Sequence, residues 1–131
     1  MEMLHRKETY IHSLPIIKDG DLSVNVCEFD DQVEILIIKP GICSVRLTIY
    51  EDVPTTGVIS SLFVHGGSRR ERYGTVLMHA CADISKVLGL TIISLFVKKD
   101  TFVHKWYNKL GFIDYMISTS DAGLIELINV L

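Results

Sequence analysis

Several protein classes are excluded by what the sequence lacks. Its five histidines (His5, His12, His65, His79 and His104) show no paired ligand spacing, so no zinc site is expected. Three cysteines are an odd count: Cys27, Cys43 and Cys81 all fall inside apolar strand or helix patterns and read as buried free thiols of a reducing compartment. No apolar run approaches the ~20 residues of a membrane span. The opening Met-Glu-Met-Leu-His-Arg-Lys-Glu has no secretory h-region, and the expectation is a soluble, cytoplasmic protein. A net charge of only −3 argues against broad binding to nucleic acid or an anionic membrane. Repeats, linkers and low-complexity segments are lacking, as are a Walker loop and a Ser-His-Asp arrangement.

What is present fits one domain, residues 1–131, with a real core: 48% of residues are hydrophobic and 22% charged. Mean hydropathy of +0.31 leaves room for a partner surface. Thr9 to Lys18 is strand-like but interrupted by Pro15, and Lys18-Asp19-Gly20-Asp21 signals a turn. Strands are expected over Leu22 to Phe29, Val33 to Lys39, Ile42 to Tyr50 and Val58 to His65, the first three linked as hairpins. In the third, Val45, Leu47 and Ile49 alternate with Ser44, Arg46 and Thr48. A helix then carries Val76, Leu77, Ala80, Cys81, Ile84, Val87 and Leu88 at a 3.6-residue period and stops at Gly89. Leu90 to Val97 is a strand reached by a crossover helix, so it should lie parallel to Val58–His65. A second helix, N-capped by Asp100 or Thr101, has Phe102, Val103, Trp106, Tyr107 and Leu110 at helical spacing. Strands over Phe112 to Ser118 and Leu124 to Val130 close the chain around a turn at Ser120-Asp121-Ala122-Gly123. The fold class is α+β with a mixed sheet.

The stretch from Ser61 to Lys86 organises the rest. It is an apolar strand end, a loop with Arg69, Arg70 and Arg72, and then an amphipathic helix. A helix start offers unbonded N–H groups and the positive end of the helix dipole, which suits phosphates, and guanidinium groups add to that. The plain counter-reading is a solvated basic turn.

Arg69-Arg70-Glu71-Arg72-Tyr73-Gly74 resembles the Arg/Gln-x-x-Gly-x-Gly/Ala acetyl-CoA loop of the GCN5-related N-acetyltransferases, the GNAT superfamily. Leu62-Phe63-Val64 is similar to the family's Leu-x-Val strand, and Trp106-Tyr107-Asn108-Lys109-Leu110-Gly111-Phe112 to its Tyr-x-Lys-Leu-Gly-Phe segment. The pair of motifs, in this order, covers roughly residues 57 to 115.

The resemblance implies a mostly antiparallel sheet whose central parallel pair splays around the cofactor, with two main helices. It implies transfer of acetyl from acetyl-CoA, the co-substrate, to a primary amine on a small molecule or protein, without a metal. Leu62, Phe63, Val64, Arg69, Arg70, Glu71, Arg72, Tyr73, Gly74, Thr75 and Asp100 would then bind the cofactor, the strand amides polarising the thioester carbonyl. Tyr107 would protonate the departing thiolate, its alternative being a core aromatic, while Trp106 reads as core. Family members often carry a glutamate where Ser60 stands. Candidate bases are His65, His104, Glu51 or a water relay, each histidine having a surface residue as its plainer reading.

Arg72 replaces the first loop glycine; an arginine fits there if its φ is negative and its side chain swings outward, and it could alternatively add a phosphate contact. The turn between Phe29 and Val33 leaves no room for the family's N-terminal helices, unless residues 1–21 supply a substitute. An acyl-CoA-binding protein without turnover and an interaction module are the alternatives. A homodimer through the last strand is compatible with the apolar Leu124–Leu131 tail.

Overall fold

The computed structural model describes residues 7–11, 22–67, 72–117 and 123–131, with side chains from residue 22 onward. The elements run β1 (Lys7–Ile11), β2 (Ser23–Glu28), β3 (Gln32–Lys39), β4 (Cys43–Tyr50), β5 (Thr56–Val64), α1 (Tyr73–Val87), β6 (Ile92–Lys98), α2 (Phe102–Lys109), β7 (Ile113–Ile117) and β8 (Leu124–Val130). They build one eight-stranded sheet in the order β1-β2-β3-β4-β5-β6-β8-β7. Among the described strands only β5 and β6 pair in parallel, as a crossover through α1 requires. The turn at Asp30–Asp31 joins β2 directly to β3. Among the described residues no helix precedes α1. Beyond Ile11, the expected first strand, the turn at Lys18–Asp21, Ser118 and most of the turn at Ser120–Gly123 lie outside the described residues.

Alternation in the strands decides the core. Val24 faces Ile37, which faces Val45; Ile35 faces Leu47, which faces Ile59; Leu95 faces Leu127. All eight are buried, and Leu77, Cys81 and Ile84 of α1 pack on the same face. Tyr107 of α2 joins this core, and Trp106 meets Gly74 of α1, so both helices cover one side of the sheet. The helix period holds through Ile84. Val87 and Leu88, expected in the buried stripe, are exposed instead: Val87 is the last residue of α1 and Leu88 its C-cap. Gly89 at φ +78 receives the chain, and the Gly89 and Leu90 amides donate to the Lys86 and Ser85 carbonyls.

Two irregularities shape the centre of the sheet. Parallel pairing covers only Thr56–Ile92, Gly57–Ile93 and Val58–Ser94, after which β5 continues to Val64 and β6 to Lys98 unpaired with each other. The strands therefore fork. On its other edge β5 is bulged: Arg46 faces Ser60, but Ser44 faces Phe63, so Val45 is opposed by both Ser61 and Leu62. One extra residue reverses the alternation. Gly57 and Ile59 face the helices before the bulge, and Leu62 and Val64 face them after it.

Candidate active site

The fork opens beside the start of α1. A cleft of about 420 Å³ lies there, lined by Leu62, Phe63 and Val64 of β5, by Arg72, Gly74 and Thr75 at the head of α1, and by Phe102, Val103 and Trp106 of α2. The bulge explains how β5 contributes to it, since without the slip Leu62 and Val64 would point to the opposite face. Gly74 brings the helix head close. A Cβ built there would stand 3.3 Å from Trp106 Cζ2 and Cη2 and 3.9 Å from Val64 Cγ2.

Arg72 is the N-cap residue of α1, and its carbonyl accepts the Val76 amide at 3.1 Å. Its φ is +62, so the condition of a negative φ is not met. The turn into α1 needs a left-handed residue there, which is why a glycine suits the position and why arginine holds it under strain of about 1–2 kcal/mol. Among the described residues no side chain caps this helix, and its first turn holds no acidic residue, so the positive end of its dipole is left open to an anion at the cleft. Ser61 at φ +55 and Asp100 at φ +64 complete the non-glycine residues with positive φ among those described. Ser61 lies in the β5 bulge, Arg72 at the head of α1 and Asp100 in the turn after β6, three strained backbone positions of the kind that cluster at working sites.

The other residues singled out from the sequence fall in several places. Arg69, Arg70 and Glu71 lie outside the described residues. Tyr73 does not line the cleft; its ring lies 5.0 Å from Lys39 Nζ. Asp100 is exposed and does not cap α2. Thr101 does so, accepting the His104 amide at 3.2 Å and donating its hydroxyl to the Lys98 carbonyl at 2.8 Å. Tyr107 is 6% exposed, in edge contact with Trp106 and Phe112 at ring separations of 4.9 and 5.6 Å. Burial, with Cys81 nearby as a second cause, pushes its phenol up to about 12. Burial likewise lifts the Cys81 thiol to about 12.

Of the candidate bases, Glu51 stands at the far end of β4, away from the fork, with Asp31, Tyr50 and Asp52 around it. His65 is exposed, and its Nδ1 accepts the Gly67 amide at 3.3 Å. His104 is not a surface residue: it is 5% exposed. Its Nδ1 accepts the Asp100 amide at 3.0 Å, so the ring proton resides on Nε2, which donates to Asp114 Oδ1 at 2.8 Å. Both ring nitrogens are thereby occupied in holding the β6–α2 turn to β7. The sequence suggested neither this role nor the half-buried position of Trp106 in the cleft wall. Phe102, 83% exposed, and Val103 also escaped notice as site residues, because an apolar residue in a first helical turn reads as core. Among the described residues no three His, Cys, Asp or Glu side chains gather into a metal-binding group. No described helix is long and apolar enough to cross a membrane.

A forked parallel pair, with a helix head at its mouth and an apolar cleft between, defines an acyltransferase-type α+β fold. The profile of the acetyltransferase (GNAT) family matches residues 29–112, more than half of the chain, and the protein belongs to that family. No curated protein sequence matches it. Among solved structures it is similar to the PaiA N-acetyltransferase of Thermoplasma acidophilum in complex with coenzyme A, with a TM-score of 0.63 and 17% identity over 77% of this chain and 62% of that one. Ard1 of Thermoplasma volcanium gives 0.61 and 17%, over 75% of this chain and 70% of that one. An acetyltransferase of Bacillus cereus gives 0.59 and 21%, over 77% and 74%. At these identities the likeness is one of fold. The chain spans under two thirds of the length of the PaiA structure.

Proposed function

We propose that the protein transfers an acetyl group from acetyl-CoA to a primary amine. The observation that carries this is the fork after Val58 and Ser94, opening onto the uncapped head of α1. Beyond Val58 the β6-side edge of β5 no longer pairs with β6, and main-chain groups along it are suited to pair with the pantetheine amides and to polarise the thioester carbonyl. Leu62, Val64, Val103 and Trp106 offer an apolar channel for the pantetheine arm. Arg72 and the first-turn amides of α1, with Arg69 and Arg70 before them in the chain, suit the diphosphate. Glu71, Tyr73, Thr75 and Asp100 belong to this proposed cofactor site through the resemblance of their motifs. Tyr107 holds its proton at every working pH and serves as a hydrogen-bond donor to the sulfur as negative charge develops on it.

A second reading, acyl-CoA binding without turnover, is favoured by the absence of any carboxylate from Val58 to Val64 and by the left-handed Arg72. Calorimetry with acetyl-CoA, followed by thiol-release assays with spermidine, a free N-terminal peptide and an N-terminally blocked lysine peptide, tests both. Binding with amine-dependent thiol release supports transfer. Binding without release supports the second reading. No binding at high micromolar concentration removes both.

A further inference from the structure

The face of the sheet turned away from both helices holds an arrangement that core packing does not require. On β8, Ile125 and Leu127 are buried against the helix side, so Glu126 between them points to the opposite face. On β6, Ser94 points to that same face between the buried Ile93 and Leu95. Ser94 is itself only 3% exposed, and it is the last β6 residue in register with β5. Its hydroxyl donates to Glu126 Oε2 at 2.8 Å. Glu126 is paired with Phe96, so this is a diagonal contact: the carboxylate leans back along β6 toward the point where β5 and β6 part. A half-buried carboxylate between Ile125 and Leu127 costs desolvation that an aliphatic residue would not. One of its oxygens is oriented by the serine, and on the same face β5 presents Val58 opposite Thr48, Ser60 opposite Arg46 and, beyond the bulge, Phe63 opposite Ser44, with no carboxylate among them.

Geometry divides the two sides of the fork by chemistry. The helix side offers the helix head, Arg72 and an apolar channel, features of an acyl-donor site. The opposite side offers a fixed carboxylate. With the helix-side cleft taken up by an acyl-CoA arm, the second side is the one left open to an acceptor, and an amine arrives there mostly as an ammonium ion, which is not a nucleophile.

We propose that Glu126, oriented by Ser94, meets the ammonium group of the acceptor on the face turned away from α1 and α2 and takes its proton. This rests on the transfer reading above. The proton passes from nitrogen to the Glu126 carboxylate. The freed lone pair forms the C–N bond to the acetyl carbon, the C–S bond breaks, and the sulfur leaves with its electron pair. The second proton of the original amine is released from the amide product to solvent, and the thiolate is protonated in turn. Glu126 is a catalytic residue in this scheme and Ser94 a positioning residue.

The test compares wild type, Glu126→Gln, Ser94→Ala and Ser94→Thr with two kinds of nucleophile: spermidine, which is cationic at neutral pH, and hydroxylamine, which is not. Glu126→Gln is expected to retain acetyl-CoA affinity within twofold and to lose about 100-fold or more in spermidine turnover. It should keep hydroxylamine-dependent thiol release within about threefold of wild type. Calorimetric binding of spermidine to the protein saturated with CoA should weaken at least tenfold. Ser94→Ala should lower spermidine kcat by about tenfold, and Ser94→Thr should restore most of it. Spermidine turnover of Glu126→Gln within threefold of wild type, with acetyl-CoA still bound, overturns this inference and leaves the transfer reading standing. Equal losses with both nucleophiles also overturn it, since they mark a structural role. Wild-type protein that binds acetyl-CoA yet releases no thiol with either nucleophile overturns the transfer reading and this inference together.

Discussion

The indole of Trp106 lies against the Cα of Gly74, near enough that a Cβ there would meet Cζ2 and Cη2 at 3.3 Å. That contact sets the spacing between the head of α1 and the flank of α2, and so the width of the cleft between them. Gly74→Ala pushes the indole by a few tenths of an ångström, costing about 1 kcal/mol, which a helical alanine roughly offsets. The expected result is a nearly unchanged Tm with weaker acetyl-CoA binding. Gly74→Glu adds bulk and negative charge at the cleft wall and should abolish binding while circular dichroism stays native. Calorimetry that finds unchanged affinity in the glutamate variant counts against the cleft as the donor site.

Arg72 offers the opposite experiment. Its φ of +62 is a conformation that glycine adopts without strain. Arg72→Gly should therefore raise stability by about 1 kcal/mol, seen as a Tm higher by a few degrees. A fall in Tm would mean that the guanidinium contributes more to the fold than its backbone strain costs.

Tyr107 combines a core position with a hydroxyl that keeps its proton, its phenol being pushed up to about 12 chiefly by burial. Tyr107→Phe retains the ring contacts with Trp106 and Phe112. We expect turnover to fall by at least tenfold, acetyl-CoA affinity to stay within twofold, and Tm to stay within about two degrees. Full activity in this variant would make Tyr107 a packing residue alone.

Asp114 gives the fold an acid-sensitive tie. Its Oδ1 accepts His104 Nε2 at 2.8 Å and Asn108 Nδ2 at 3.1 Å, and these hydrogen bonds, that from His104 foremost, hold the carboxyl below its usual range. A folded-state pKa below the unfolded value of ~3.9 means stability that is present above that pH and lost as pH falls through the folded value. Asp114→Asn should therefore flatten the acid limb of the Tm–pH curve below about pH 5 relative to wild type. Superimposable acid limbs would show that the His104–Asp114 bond does not couple to folding.

Element order and type were legible because they are local. Leu77, Ala80, Cys81 and Ile84 announce a helix by period alone, and the apolar alternation of Val45, Leu47 and Ile49 announces a strand. The two motifs flanking α1 and α2 likewise pointed to the right family. What escaped depended on strand register. The bulge at Ser61 and Leu62 turns β5 over, the left-handed turn at Arg72 follows from how the chain must enter α1, and His104 finds Asp114 only because β7 is placed beside α2.

The chain's own letters settled where hydrophobic residues recur and where turns interrupt them, since both are properties of neighbours a few residues apart. Only the tertiary structure decided which side chains share a face of the fork. Ser94 and Glu126 are 32 positions apart and meet because β6 and β8 pair in one register and no other. No periodicity within either strand encodes that register.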